Sequence, residues 1–113
     1  MIQYSSKDRD MLYKIKANFH EDLLPEFFTK LTDGTIEQQK PDGLEIIKSI
    51  KKAKITAEKT LEWYEHCLCE IPLNHERETI YNRYFYNFNI SDVVEEKDDI
   101  KGDLFWEYLQ KYE

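Results

Sequence analysis

Glycine and proline are scarce, three of each in 113 residues. So little turn material favours a few long elements over many short ones. No apolar run approaches the roughly 20 residues that a membrane helix needs. Met1 to Arg9 lacks the charged-then-apolar pattern of a secretory signal, so a cytoplasmic protein is expected. Positive charge is also short: 16 Lys and Arg against 23 Asp and Glu leave a net charge of −7. That argues against binding of phosphate backbones across the whole surface. Cysteine is limited to Cys67 and Cys69. Two cysteines one residue apart do not form an ordinary unstrained disulfide, and on a helix they diverge, so reduced thiols are expected.

Catalytic and metal signatures are missing too. There is no Gly-x-Ser-x-Gly, no glycine-rich phosphate loop and no His-Glu-x-x-His; His75-Glu76 is followed by Arg77-Glu78-Thr79. His66, Cys67 and Cys69 lie one and two residues apart, which on a helix does not gather zinc ligands. No enzyme, no cofactor and no metal site is expected.

What is present is a globular composition, 41% hydrophobic and 35% charged, with aromatics at 14%. One domain, 1–113, is expected, with short helices and a loop over 1–42, a long helix over 43–71 and a three-helix part over 72–113. Ser5 or Ser6 caps a first helix to about Phe19, with Met11, Leu12, Ile15 and Phe19 at helical spacing. Pro25 opens a short helix that buries Phe27, Phe28 and Leu31, and Gly34 stops it. Thr35 to Lys40 is read as an exposed loop and Pro41-Asp42-Gly43 as a turn. Asp42 then caps the longest helix, whose Ile47, Ile50, Ala57, Leu61, Tyr64, Leu68 and Ile71 approach a heptad stripe. Pro72 ends it. Asn74 caps a helix to about Tyr86, and Asp103 caps a last one with Leu104, Phe105, Tyr108, Leu109 and Tyr112 inward. The expected fold is all-α, a bundle of five or six helices around one long central helix.

Ser91 to Glu113 carries eight acids against three lysines, interleaved with Phe105, Trp106, Tyr108, Leu109 and Tyr112. Acid with large aromatics suits an interface with a basic protein. The candidate partner-binding residues are Asp98, Asp99, Asp103, Trp106, Glu107 and Gln110. Trp106 falls outside the inward set, which suits a hot spot; the plainer reading is that it covers a neighbouring helix end. Lys48, Lys51 and Lys52 share a helix side and form a candidate basic contact patch, or simply a solvated face. Tyr81, Tyr84, Phe85, Tyr86 and Phe88 beside Arg83 read as core with a rim before they read as a base-stacking platform.

Residues 71–85, Ile-Pro-Leu-Asn-His-Glu-Arg-Glu-Thr-Ile-Tyr-Asn-Arg-Tyr-Phe, resemble the opening of sigma-factor region 4 domains and of ArpU-like phage transcriptional regulators. The resemblance covers about 44–113 and implies a helix-turn-helix, with Ile90–Lys97 and Gly102–Tyr112 as its two helices. The chain departs from that pattern where it matters. Glu95, Glu96, Lys97 and Asp98 stand where the first helix needs a core residue. The terminal helix offers Asp103, Glu107, Gln110 and Glu113 to a groove that wants cations.

The expected function is therefore a small acidic, non-enzymatic protein that binds and modulates or inhibits a basic, nucleic-acid-handling protein. By the resemblance it is phage-encoded, of the anti-CRISPR or polymerase-modulator type, a monomer or homodimer with no membrane association. The alternative is a DNA-binding phage-type regulator.

Overall fold

Apolar residues occupy every odd position from Met11 to Phe19, and this segment is a strand, β1 (Met11–Phe19). The computed structural model describes residues 11–67, 73–97 and 100–113. Tyr13, Ile15, Ala17 and Phe19 are buried, while Lys14, Lys16 and Asn18 point to the other face. The expected helix used Met11, Ile15 and Phe19, whose spacing of four satisfies both periods. The intervening Tyr13 and Ala17 decide for the strand.

A turn of 3₁₀ helix, Glu21–Leu23, leads into α1 (Leu24–Thr32). As expected, Pro25 lies at its start and Phe27, Phe28 and Leu31 are buried. The loop that follows is mostly exposed, as expected, but it buries Ile36 fully. α2 (Gly43–Lys52) begins where expected, with Asp42 at its N-cap. A Cβ on Gly43 would sit 1.9 Å from the Ile36 carbonyl oxygen, so only glycine lets the loop close against the helix.

The long helix over 43–71 does not form. The chain leaves α2 at Ala53 in extended geometry and makes a hairpin, β2 (Lys54–Ala57) and β3 (Thr60–Cys67). Its turn uses Lys59 at φ 54, without glycine, proline or asparagine to announce it. Leu61 is buried as expected, but on β3, beside Trp63 and Glu65 on the same face. α3 (Asn74–Glu76) and α4 (Asn82–Tyr84) are joined without a break by a π turn, Arg77–Tyr81. Leu73, with φ 52, is the N-cap in place of Asn74.

β4 (Phe85–Val93) follows directly, then β5 (Asp103–Leu104) and α5 (Phe105–Leu109), which ends in a 3₁₀ turn, Gln110–Tyr112. Ile90 to Val93 thus belong to a strand, and the expected helix-turn-helix is not formed. Leu104 caps α5, not Asp103. The inward set of the last helix holds: Phe105 and Leu109 are fully buried, with Leu104, Tyr108 and Tyr112 half-buried.

The five strands form one antiparallel sheet in the order β4-β1-β3-β2-β5, so the chain is α+β, not all-α. One core unites the inward face of β1 and β3 with residues of α1, α2, the π turn, α4 and α5, including Phe27, Ile46, Ile50, Tyr81, Tyr84 and Phe105. The other face presents Lys14, Lys16, Asn18, Glu62, Tyr64 and His66, all half-buried or exposed. Gly102 closes the β2–β5 edge: at φ 153, a Cβ there would meet the Ile55 carbonyl oxygen at 2.0 Å. Among the described residues, no helix is long and apolar enough to cross a membrane.

Candidate functional site

At the β2–β5 edge the end of α2 meets the β4–β5 connection. Lys51 and Lys52 form the last turn of α2, where cations offset the helix dipole. Lys54 starts β2 two residues later and lies opposite Glu62 and Leu104 in the sheet. With Lys97 these lysines surround a half-open cleft of about 280 Å³. Its walls include Trp63 and Tyr64 from β3, Ile100 from the connection and Leu104 from β5; Glu96 is its one described carboxylate.

The cations are held differently. Lys51 Nζ lies over the Trp106 ring, 5.1 Å from its centroid. Lys52 pairs with Glu96 at 3.8 Å, and Glu96 also lies 3.7 Å from His66 Nε2. For half-buried Lys54 and exposed Lys97 there is no ion pair among the described residues. Lys48, one turn earlier on α2, is exposed and lies outside the cleft.

The expected acidic site and the expected basic patch therefore adjoin. Trp106 is half-buried; its ring packs against Phe28 with 5.8 Å between centroids and is covered by Lys51. It fits the plainer reading, a cover for a neighbouring helix, as well as it fits an anchor. Asp103 on β5, Glu107 on α5 and Gln110 in the 3₁₀ turn after it are exposed. Asp98 and Asp99 lie outside the described residues.

A second charged group is buried. Glu65, fully enclosed on the inward face of β3, accepts from Tyr81 Oη at 2.6 Å and from Trp63 Nε1 at 2.9 Å through Oε1; Oε2 has no hydrogen-bond partner among the described residues. Burial pushes its carboxyl well above the usual range, outweighing those two hydrogen bonds. Glu76, almost fully buried on α3, is raised to about 7 by burial first and then by the charge of Asp42. Asp42 pairs with His75 Nδ1 at 2.6 Å. Glu45, from α2, accepts from Ser49 Oγ at 3.4 Å and from the His66 backbone N–H at 3.3 Å.

Glu65 and Tyr81 are sealed from solvent, and among the described residues no group of three His, Cys, Asp or Glu could hold a metal. Cys67 is disulfide-bonded, which corrects the expectation of reduced thiols. The helical reading made the cysteines diverge, whereas Cys67 ends a strand; Cys69 lies outside the described residues.

No protein-family model, no curated protein and no solved structure matches this chain. Sequence reasoning missed Tyr64 and Lys97 as neighbours of Lys51 and Lys52, because the long helix carried β3 away from the C-terminal elements. It also missed Glu65. The available signal was Leu61-x-Trp63-x-Glu65-x-Cys67, an apolar alternation interrupted by one carboxylate.

Proposed function

We propose that this chain is a non-enzymatic protein that binds and restrains a basic, nucleic-acid-handling protein. One observation carries the reading. Asp103, Glu107 and Glu113 along the β5–α5 edge, with Asp92 on β4 and Glu95 just after it, are exposed and have no ion pair among the described residues. Carboxylates left unneutralised on a protein of net charge −7 steer association with a cationic surface and compete with phosphates for it. Asp103, Glu107 and Gln110 supply the polar contacts. Trp106 adds apolar area where its ring emerges from under Lys51.

Partners of this class include CRISPR effectors and polymerases. Their place of action makes the cytoplasm the proposed compartment. That placement rests on the partner's chemistry, since a disulfide at Cys67 fits an oxidising environment better. DNA reading through a helix-turn-helix is not proposed, because Ile90–Val93 are strand.

The test is affinity capture from extracts of the source cell, then assay of each captured protein's nucleic-acid activity with and without the purified chain. The expected result is a basic protein whose activity falls on addition of the chain. Its association should slow, and lose salt dependence, with the double variant Asp103→Lys and Glu107→Lys. Retained proteins without basic character, or inhibition unaffected by that variant, would overturn the reading.

A further inference from the structure

We infer that the lysine-lined cleft at the β2–β5 edge binds a phosphate monoester with an apolar or aromatic body. This goes beyond the protein-partner reading and does not depend on it.

Charge bookkeeping within the cleft is the first support. The C-terminal end of α2 directs its carbonyl dipoles this way, and alone it would repel an anion. Lys51 and Lys52 answer that dipole, and each is engaged, on Trp106 and on Glu96. Lys54 and Lys97 remain. They come from two other segments, converge on one concavity and are matched by no carboxylate contact among the described residues. Two such ammonium groups facing one concavity attract a small anion locally, against the repulsion of a chain with seven excess negative charges.

Shape gives the class. A cleft of about 280 Å³ is near the lower limit for small-molecule sites, too large for a phosphate group alone and suited to one with a compact body. Leu104 and Ile100 supply apolar wall on one side, and Tyr64 supplies an aromatic one. Lysine acts as a point charge toward phosphate, so the site selects the charge without dictating how the ester is oriented. Orientation falls to the apolar walls.

The experiment is calorimetric titration of the purified full chain with adenosine 5′-monophosphate, glucose 6-phosphate, inorganic phosphate and adenosine. Saturable binding is expected for the nucleotide, weaker by about tenfold or more for adenosine, which lacks the charge, and for inorganic phosphate, which lacks the body. Glucose 6-phosphate carries the same charge on a polyhydroxylated body that the apolar walls do not match, so it should bind about as weakly as inorganic phosphate; binding as tight as the nucleotide's would overturn the apolar or aromatic body. Lys54→Ala and Lys97→Ala should each weaken the nucleotide about fivefold or more, with unchanged melting curves. Lys16→Ala, exposed on β1 and outside the cleft, should change nothing. No saturable binding of the nucleotide, or binding that survives both cleft variants, would overturn the inference.

Discussion

Two groups of charge meet across β3 and behave in opposite ways. Inward of the strand, Glu65 and Glu76 are buried and Asp42 is half-buried; Glu65 accepts from Tyr81 and Trp63, and Asp42 pairs with His75. At the sheet edge, Lys54 and Lys97 face a cleft without a carboxylate partner among the described residues. The contrast separates a structural use of polarity from a binding one. A carboxyl inside the core is tolerated only where donors meet it and the neutral form relieves the cost of burial. An ammonium at the surface costs little, because water solvates it until something else does. The inner group should therefore govern stability and the outer group affinity.

The largest effect that could break this division lies at Glu65. Glu65→Ala strands the buried donors of Tyr81 and Trp63, at about 1–3 kcal/mol each, and leaves a cavity. A loss of roughly 2–6 kcal/mol is expected in urea titration. Glu65→Gln keeps an acceptor of the same shape and should cost far less. Equal losses for the two variants would mean that the carboxyl is not used as an acceptor at all.

Next in size is the response to pH. Glu76 has a folded-state pKa raised from 4.5 to about 7, so the native state holds its proton more tightly than the unfolded chain does. The stability this gives is fully present below about pH 4.5 and is lost as pH rises through about 7. Glu65, also raised, adds in the same direction. Melting temperature should therefore fall between pH 4.5 and 7, and Glu76→Gln should flatten that fall. Glu26 runs the other way. Its hydrogen bonds from Arg83 and Tyr84 hold it down to about 2, so its contribution is lost as pH drops from 4.5 towards 2. A melting temperature that rises from pH 4.5 to 7 would show Glu76 to be an ordinary exposed acid.

The smallest effect sharpens the other half of the comparison. Lys54→Ala and Lys97→Ala should alter unfolding free energy by less than about 0.5 kcal/mol, since neither loses an ion pair. A larger loss at Lys54 would move it into the structural group and take away the charge on which the cleft depends.

What was legible in the sequence follows from how local each signal is. α1 was legible because Pro25, the spacing of Phe27, Phe28 and Leu31, and Gly34 agree within eleven residues. The start of α2 at Asp42-Gly43 and the inward face of α5 were legible for the same reason. The segment 53–67 was not. Ala57, Leu61 and Tyr64 sit at spacings of four and three, and no strong breaker lies between Gly43 and Pro72, so the helical pattern ran on. What ends α2 is the pairing of β3 with β1 along eight residues, from Met11 opposite Cys67 to Asn18 opposite Thr60. That partner lies about fifty residues away in sequence, where local periodicity cannot register it.

The candidate site divides in the same way. The sequence by itself determined the charge: an acidic chain, lysines clustered at 48–52, acids and aromatics gathered after Ser91, and a carboxylate set among the apolar residues of 61–67. Only the tertiary structure decided which of these charges meet. Antiparallel pairing of β2 with β5 brings Leu104 opposite Lys54, and the connection before β5 carries Glu96 and Lys97 to the end of α2. The same sheet turns Glu65 inward under Tyr81. The physical reason is that side-chain types are fixed by sequence, whereas the face each occupies depends on whether its backbone takes a period of 3.6 or of 2. In this chain that choice is made by strand pairing at long range.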